Sequence, residues 1–384
     1  MFRSRIVMIS AVLVGLTSVL PKVAAAGADA VCDQLQATLV GTAGDDVLDG
    51  TDGPDVIFGL DGNDTINGLG GDDIICGGGG ADSINAGDGN DVVEGGRGRD
   101  HISGAAGDDT LLGGPGADRL FGSHGADQVL GGGGDDIVNG GEGDDLLDGG
   151  SGIDRATFGN SLSPVDVDLA AGVAVGDGSD SLVDVENVTG SDFDDVITGD
   201  ELENKLDGGP GDDQISGGAG DDAIQGREGA DELRGGSGND ILTGHEGRDS
   251  LYGGGGKDLL NGSEDHDVLY GGPGHDTLGG GKDVDVMRGG SGRDFLSGGD
   301  GNDLLVGGSG DDELLGGRGF DTMLGGSGDD VLFGSPHGAD FGFDQNVEIL
   351  AVMDGEAGSD SCIISNLPPK FVMLSCSVGG EGAE

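Results

Sequence analysis

From Gly41 the chain repeats with a strict period of nine: GTAGDDVLD, GTDGPDVIF, GLDGNDTIN, GLGGDDIIC. The period holds through Thr157, resumes at Gly190 and runs through Phe333, giving 13 units and then 16, or 261 of 384 residues. A period this short points to stacked units in which each touches mainly its neighbours. With the positions of a unit numbered 1 to 9, position 1 is Gly in 28 of 29 units, Ala86 being the exception. Position 4 is Gly in 25, the departures being Phe193, Leu202, Asp265 and Asp283. Position 6 is Asp in 28, with Asn204 as the exception. Position 8 is always apolar, from Leu48, Ile57, Ile66 and Ile75 to Leu332, with only Ala156 small.

Each unit reads as a Gly-rich turn of about six residues and a strand of three. Glycine belongs where φ is positive or backbones approach closely. Side chains alternate along a strand, so position 8 faces one way and positions 7 and 9 the other, with polar or mixed residues such as Asp49, Asn67, Glu94, Ser103, Asn139 and Arg234. One apolar residue in nine cannot fill an ordinary core. It fills a thin one if successive units lie alternately in two facing parallel sheets, two units making one coil of 18 residues. Residues 18 apart then stack at about 4.8 Å. The expected fold is all-β: a parallel β-roll solenoid, as two consecutive rolls with short β caps. Collagen is excluded by the spacing, which would need Gly every third residue. Gly and Pro total 99 of 384 residues, a proportion typical of disorder only when aperiodic.

The pattern resembles the RTX, or haemolysin-type, calcium-binding repeat family, whose motif is G-G-x-G-x-D-x-U-x. Independently of that likeness, the stacking sets Asp46 over Asp64 and Asp55 over Asp73, and so on along both edges. Carboxylates at that spacing repel when partly desolvated. A hard divalent cation removes the repulsion, and calcium prefers several oxygen ligands, carboxylates and carbonyls among them. The resemblance implies that position-6 carboxylates two units apart share an ion with turn carbonyls. The candidate ligands in the first array are Asp46, Asp55, Asp64, Asp73, Asp82, Asp91, Asp100, Asp109, Asp118, Asp127, Asp136, Asp145 and Asp154. Those in the second are Asp195, Asp213, Asp222, Asp231, Asp240, Asp249, Asp258, Asp267, Asp276, Asp285, Asp294, Asp303, Asp312, Asp321 and Asp330. Thirteen units allow 11 such pairs and sixteen allow 14, an upper bound of about 25 calcium ions. Their charge would nearly offset the formal −57 of the chain. An acidic surface kept only for solvation has no need of register with the apolar position.

Residues 1–26 read as a secretory signal: a basic start with Arg3 and Arg5, an apolar run of 15 from Ile6 to Leu20, short for a membrane span, and a small-residue cleavage site at Ala24–Ala26, the alternative being an uncleaved membrane anchor. Residues 27–40 read as a cap strand over the open end of the roll. The first array is 41–157, the second 190–333. Between them, 158–189 breaks the period and resembles a spacer of the same family. Val165–Leu169 and Leu182–Glu186 alternate as two strands, with Asp177–Asp180 as their turn. Binding is expected to be weakest just after it, where Phe193, Leu202 and Asn204 depart from the pattern. Residues 334–384 read as a small β cap, the alternative being a recognition tail. Four cysteines in an oxidising compartment allow three pairings, of which Cys32–Cys76 with Cys362–Cys376 staples each end.

No enzyme chemistry emerges. HExxH, GxSxG and GK[ST] are absent, and His101, His124, His245, His266, His275 and His337 are scattered, read as surface or turn residues without a consistent partner. The negative charge opposes nucleic-acid binding, which needs Lys and Arg against phosphate, and no long apolar segment suits stable membrane insertion. Thirteen aromatics, 11 Phe and two Tyr, leave little for a ligand pocket. The expected function is a secreted, extracellular calcium-binding protein whose rolls fold on binding many ions. The alternative is an adhesion or surface protein whose rigidified rolls present a face to an unidentified cell-surface partner.

Overall fold

The structure, a computed structural model, describes residues 35–334 together with the strands Gly355–Ala357, Asp360–Ile364 and Ser375–Cys376. The expected export signal, Cys32 and most of the expected C-terminal cap lie outside the described residues. Among the described residues there is no helix; the chain is a β-solenoid of about 16 turns. Successive strands alternate between two parallel sheets. Sheet A begins at Leu39–Val40 and continues through Val56–Asp61 and Ile74–Gly79. Sheet B begins at Val47–Thr51 and continues through Thr65–Gly70 and Ser83–Asp88. Partners within the arrays are 18 residues apart, as in Ile57↔Ile75 and Leu48↔Ile66.

Position 8 supplies the core. Ile57, Ile75, Val93 and Leu111 from sheet A meet Ile66, Ile84, Ile102 and Leu120 from sheet B in one apolar file, all essentially inaccessible to solvent. Burying a side chain of this size contributes about 1.5–3 kcal/mol. A single such residue per unit has nine residues of backbone entropy to oppose, so the apolar file alone is a weak reason to fold.

The strands are longer than the expected three residues. They run six, from position 7 through position 3 of the next unit, as in Thr65–Gly70. The ladder crosses the bend because the turns themselves stack. The N–H of Gly62, at position 4, donates to the carbonyl of Gly79, at position 3 one coil on, at 2.7 Å. Two glycine positions have the left-handed backbone expected: position 2 (Gly78, φ 110°) and position 4 (Gly80, φ 135°). Asp265 and Asp283 accept a positive φ at position 4, whereas Phe193 and Leu202 do not, so the first two turns after the spacer take another shape.

The spacer holds four strands rather than two. Asp166–Asp168, Val173–Val175 and Ser179–Val183 form an antiparallel run inside sheet A, and Asn187–Thr189 joins sheet B. The expected turn at 177–180 is partly strand, because Ser179 and Asp180 pair with Val175 and Ala174. Both sheets pass through the spacer without a break. Sheet A runs from Leu146–Ser151 to Ser179–Val183, and by way of the two antiparallel strands to Val196–Thr198. Sheet B runs from Arg155–Thr157 to Asn187–Thr189 to Lys205–Pro210.

Candidate metal centre

Each position-6 aspartate stands at the foot of a strand, where the turn ends. The backbone N–H of each donates to the Oδ1 of the aspartate one coil further on: Asp64 to Asp82, Asp82 to Asp100, Asp231 to Asp249, at 2.8–2.9 Å. Odd-numbered units set this ladder along the sheet B edge and even-numbered units along the sheet A edge. One carboxylate oxygen is thereby a structural peg, a role with no signature in the sequence.

The second oxygen has no such partner. From Asp64 to Asp154, and again from Asp213 to Asp312, every position-6 Oδ2 is buried without a hydrogen bond. Such atoms are costly unless something satisfies them. What lies beside them is the position-1 residue, a glycine in every unit but that of Ala86. A Cβ added to Gly59 would sit 2.5 Å from both Asp64 Oδ2 and the Gly77 carbonyl oxygen. Around Gly307 the same construction meets Asp312 Oδ2 and the Gly325 carbonyl, each at 2.5 Å. The two oxygens are therefore at most about 5 Å apart, a span that one ion with oxygen distances of 2.3–2.6 Å can bridge. At Gly59 and Gly307 a side chain would press on the carboxylate and the carbonyl, while φ is not positive; Ala86 is the one unit that carries a methyl there. Among the described residues no three His, Cys, Asp or Glu side chains converge as a cage. A cation here takes backbone carbonyls, which suits calcium and not zinc.

The electrostatics point the same way. Burial, opposed by the backbone hydrogen bond and reinforced by the stacked neighbours, raises Asp213 from 3.8 to about 8. Burial likewise raises Asp109, Asp231 and Asp285 to about 7 and Asp73, Asp82 and Asp276 to about 6. Without a counter-ion these edges resist ionisation at neutral pH.

The ends of the ladders differ. Asp46 Oδ2 accepts from the backbone N–H and hydroxyl of Thr42, at 2.5 and 2.8 Å. Thr51 does the same for Asp55, whose carboxyl is lowered by hydrogen bonds from the Thr38 and Thr51 hydroxyls. Ser191 caps Asp195. In these three units position 2 is Thr or Ser, and the protein itself satisfies the oxygen that is left open elsewhere. Asp321 is half-buried, and its Oδ1 accepts from the Asp303 N–H. Asp330, buried at the far end, accepts from the Asp312 N–H. Asn204 gives up the peg: its Oδ1 accepts from the Asp200 N–H at position 2 of its own unit, and its amide N–H₂ donates to the Glu186 carbonyl at 2.8 Å.

Sequence reasoning missed two carboxylates. Asp180 accepts from the Asp145 N–H at 3.1 Å, and Glu186 from the Asp154 N–H at 2.7 Å. It also missed that His266 and His275 share position 5 and a partner type: each Nδ1 accepts a backbone N–H one coil on, from Val284 and Arg293. Asp and Asn at position 5 do the same elsewhere, as in Asn63 N–H to Asp45. The signal was available in the register of position 5.

The description of the RTX calcium-binding nonapeptide repeat matches the chain in overlapping windows that span residues 40–156 and 189–336. No curated protein matches it.

Proposed function

Because the chain belongs to the RTX calcium-binding nonapeptide repeat family, we propose that it is a secreted protein whose solenoid folds as it takes up calcium. The observation that carries this reading is the row of buried Oδ2 atoms without a hydrogen bond, set beside a carbonyl of the next coil at sites such as Asp64, Asp240 and Asp312. A calcium ion supplies the missing partner and cancels the repulsion along the edge. Since one apolar residue per unit stabilises the fold weakly, the binding free energy becomes folding free energy. At an affinity of about 10⁻⁴–10⁻³ M, common for extracellular calcium modules, the chain stays open at cytosolic calcium and closes outside the cell.

Export through a signal at 1–26 belongs to this proposal, as does stapling by Cys32–Cys76 and Cys362–Cys376. Cys76 is buried at 7% exposure and lies in register with Phe58, itself opposite Val40 at the first rung of sheet A. Cys76 thus lies two rungs from the Leu39–Val40 end of sheet A. The proposed role has no catalytic step.

A calcium titration from chelator, with magnesium as control, tests the reading. Far-UV circular dichroism follows β structure. The chain has two Tyr and no Trp, and Tyr252 and Tyr270 stack at 5.2 Å on sheet A, flanked by Arg234 and Arg288. Their emission reports formation of the correct register. Both signals should rise together with calcium alone. Full β signal in chelator at pH 8 would refute folding on binding.

A further inference from the structure

The segment between the two matched stretches carries the same stacking in disguise. Residues 175–183 read V-G-D-G-S-D-S-L-V, with Gly178, Asp180 and Leu182 at positions 4, 6 and 8. They stack on 140–148 as one repeat unit stacks on another. Ser181 and Leu182 pair with Leu146 and Leu147, and a Cβ on Gly178 would meet the Gly143 carbonyl, as one on Gly152 meets that of Gly134. The 17 residues inserted before this unit hide it from any reading that counts in nines.

The next unit, 184–189, is shorter by three residues. Asn187, Val188 and Thr189 pair with Arg155, Ala156 and Thr157, so they hold positions 7 to 9. Asp184 holds position 1, since its carbonyl meets the place of a Cβ on Gly149. Glu186 holds position 6, and its extra methylene lets the carboxylate reach the Asp154 N–H from a shortened turn. Asp154 is fully buried, its Oδ2 has no hydrogen bond, and that oxygen lies 2.8 Å from the same Gly149 position. Asp145 Oδ2 is likewise buried without one.

We infer that the spacer is part of the calcium ladder. Asp154, Glu186 and the Asp184 carbonyl make one seam site, and Asp145 with Asp180 a second. Along the sheet B edge the file of ions then extends from the first array to Glu186, and beyond it the ladder continues by hydrogen bonds alone, from Asn204 Nδ2 to the Glu186 carbonyl and from the Asn204 N–H to Asp222 Oδ1. Along the sheet A edge it stops at Asp180, where the antiparallel strands intervene. The spacer is thus tied to the first array by shared ions as well as by backbone. This inference rests on the calcium reading of the repeats.

Native mass spectrometry of the full chain in calcium counts bound ions directly. Asp180→Asn and Glu186→Gln keep the oxygen that accepts the backbone N–H and remove the charge. Each should hold at least one ion fewer than wild type, with β signal retained in saturating calcium. Asp240→Asn, inside the second array, is the control. Unchanged counts in both seam variants beside a loss in the control would overturn the seam sites and leave the repeat reading intact. No calcium-specific count in wild type, or no loss in the control, would overturn both. Thermal melting in saturating calcium is the second measurement. Wild type should melt in one transition and the double seam variant in two; a single unshifted transition in the double variant refutes the coupling.

Discussion

Proton and calcium should act on this fold in the same sense when alone and in opposition when together. Consider the metal-free chain. Burial first, and stacked carboxylates next, raise Asp213 from 3.8 to about 8 and Asp109, Asp231, Asp267, Asp285 and Asp312 to about 7. A folded-state value above the unfolded one means that the folded chain holds a proton the unfolded chain has released. The stabilisation is complete below pH 3.8 and is lost as pH rises through 6 to 8. Each such group changes stability by about 1.4 kcal/mol per pH unit across its window. For Asp213 the total is at most about 6 kcal/mol, and less after screening by solvent at the turn. Two groups titrating together give about 2.7 kcal/mol per pH unit, enough to cross from mostly unfolded to mostly folded within two units. In chelator, β signal and tyrosine emission should therefore appear as pH falls from 8 to 5. The scan ends there because the isoelectric point is about 4.1. With calcium present the order reverses: protons compete for the same oxygens, so the calcium midpoint should climb as pH falls. Calorimetry in buffers of different ionisation enthalpy should show protons released on calcium binding at pH 6. A β signal in chelator that is flat from pH 8 to 5, or grows as pH rises, would refute the placement of these carboxylates in a desolvated edge.

Asp276→Asn removes a charge shared by two proposed sites. At calcium a hundredfold above the dissociation constant each lost ion is worth about 2.7 kcal/mol, so the loaded chain should lose up to about 5 kcal/mol by urea unfolding, while the variant in chelator gains β signal. Asn204→Asp should add a calcium ion by mass spectrometry and raise the chelator-sensitive fraction of stability, since it trades the amide bond to the Glu186 carbonyl for a ligand. Gly307→Ala sets a methyl 2.5 Å from Asp312 Oδ2 and the Gly325 carbonyl and should raise the calcium midpoint severalfold. Leu251→Ala, at a fully buried position, should cost about 2–5 kcal/mol of calcium-loaded stability and leave the ion count unchanged.

The nine-residue period by itself determined most of this architecture. Alternation about position 8 requires two faces, and one apolar residue per unit requires two sheets to share a thin core. The 18-residue coil then puts Asp64 beside Asp82 whatever the details of the turn. The period could not say why position 1 is glycine. In the structure its φ is ordinary, and the constraint is a carboxylate and a carbonyl that close on its Cα from other parts of the coil. Nor could it separate the two oxygens of each aspartate, one pegged to a backbone N–H and one left open, because that division depends on the neighbouring coil. Asp46, Asp55 and Asp195 look like the rest in sequence, yet Thr42, Thr51 and Ser191 satisfy them where the turn departs from the left-handed form. Asp180 and Glu186 were hidden for the opposite reason. An insertion and a three-residue deletion destroy the period along the chain, and hydrogen bonding between coils restores it in space. Register in a stacked sheet is fixed by which backbone lies alongside, and only the tertiary structure decides that.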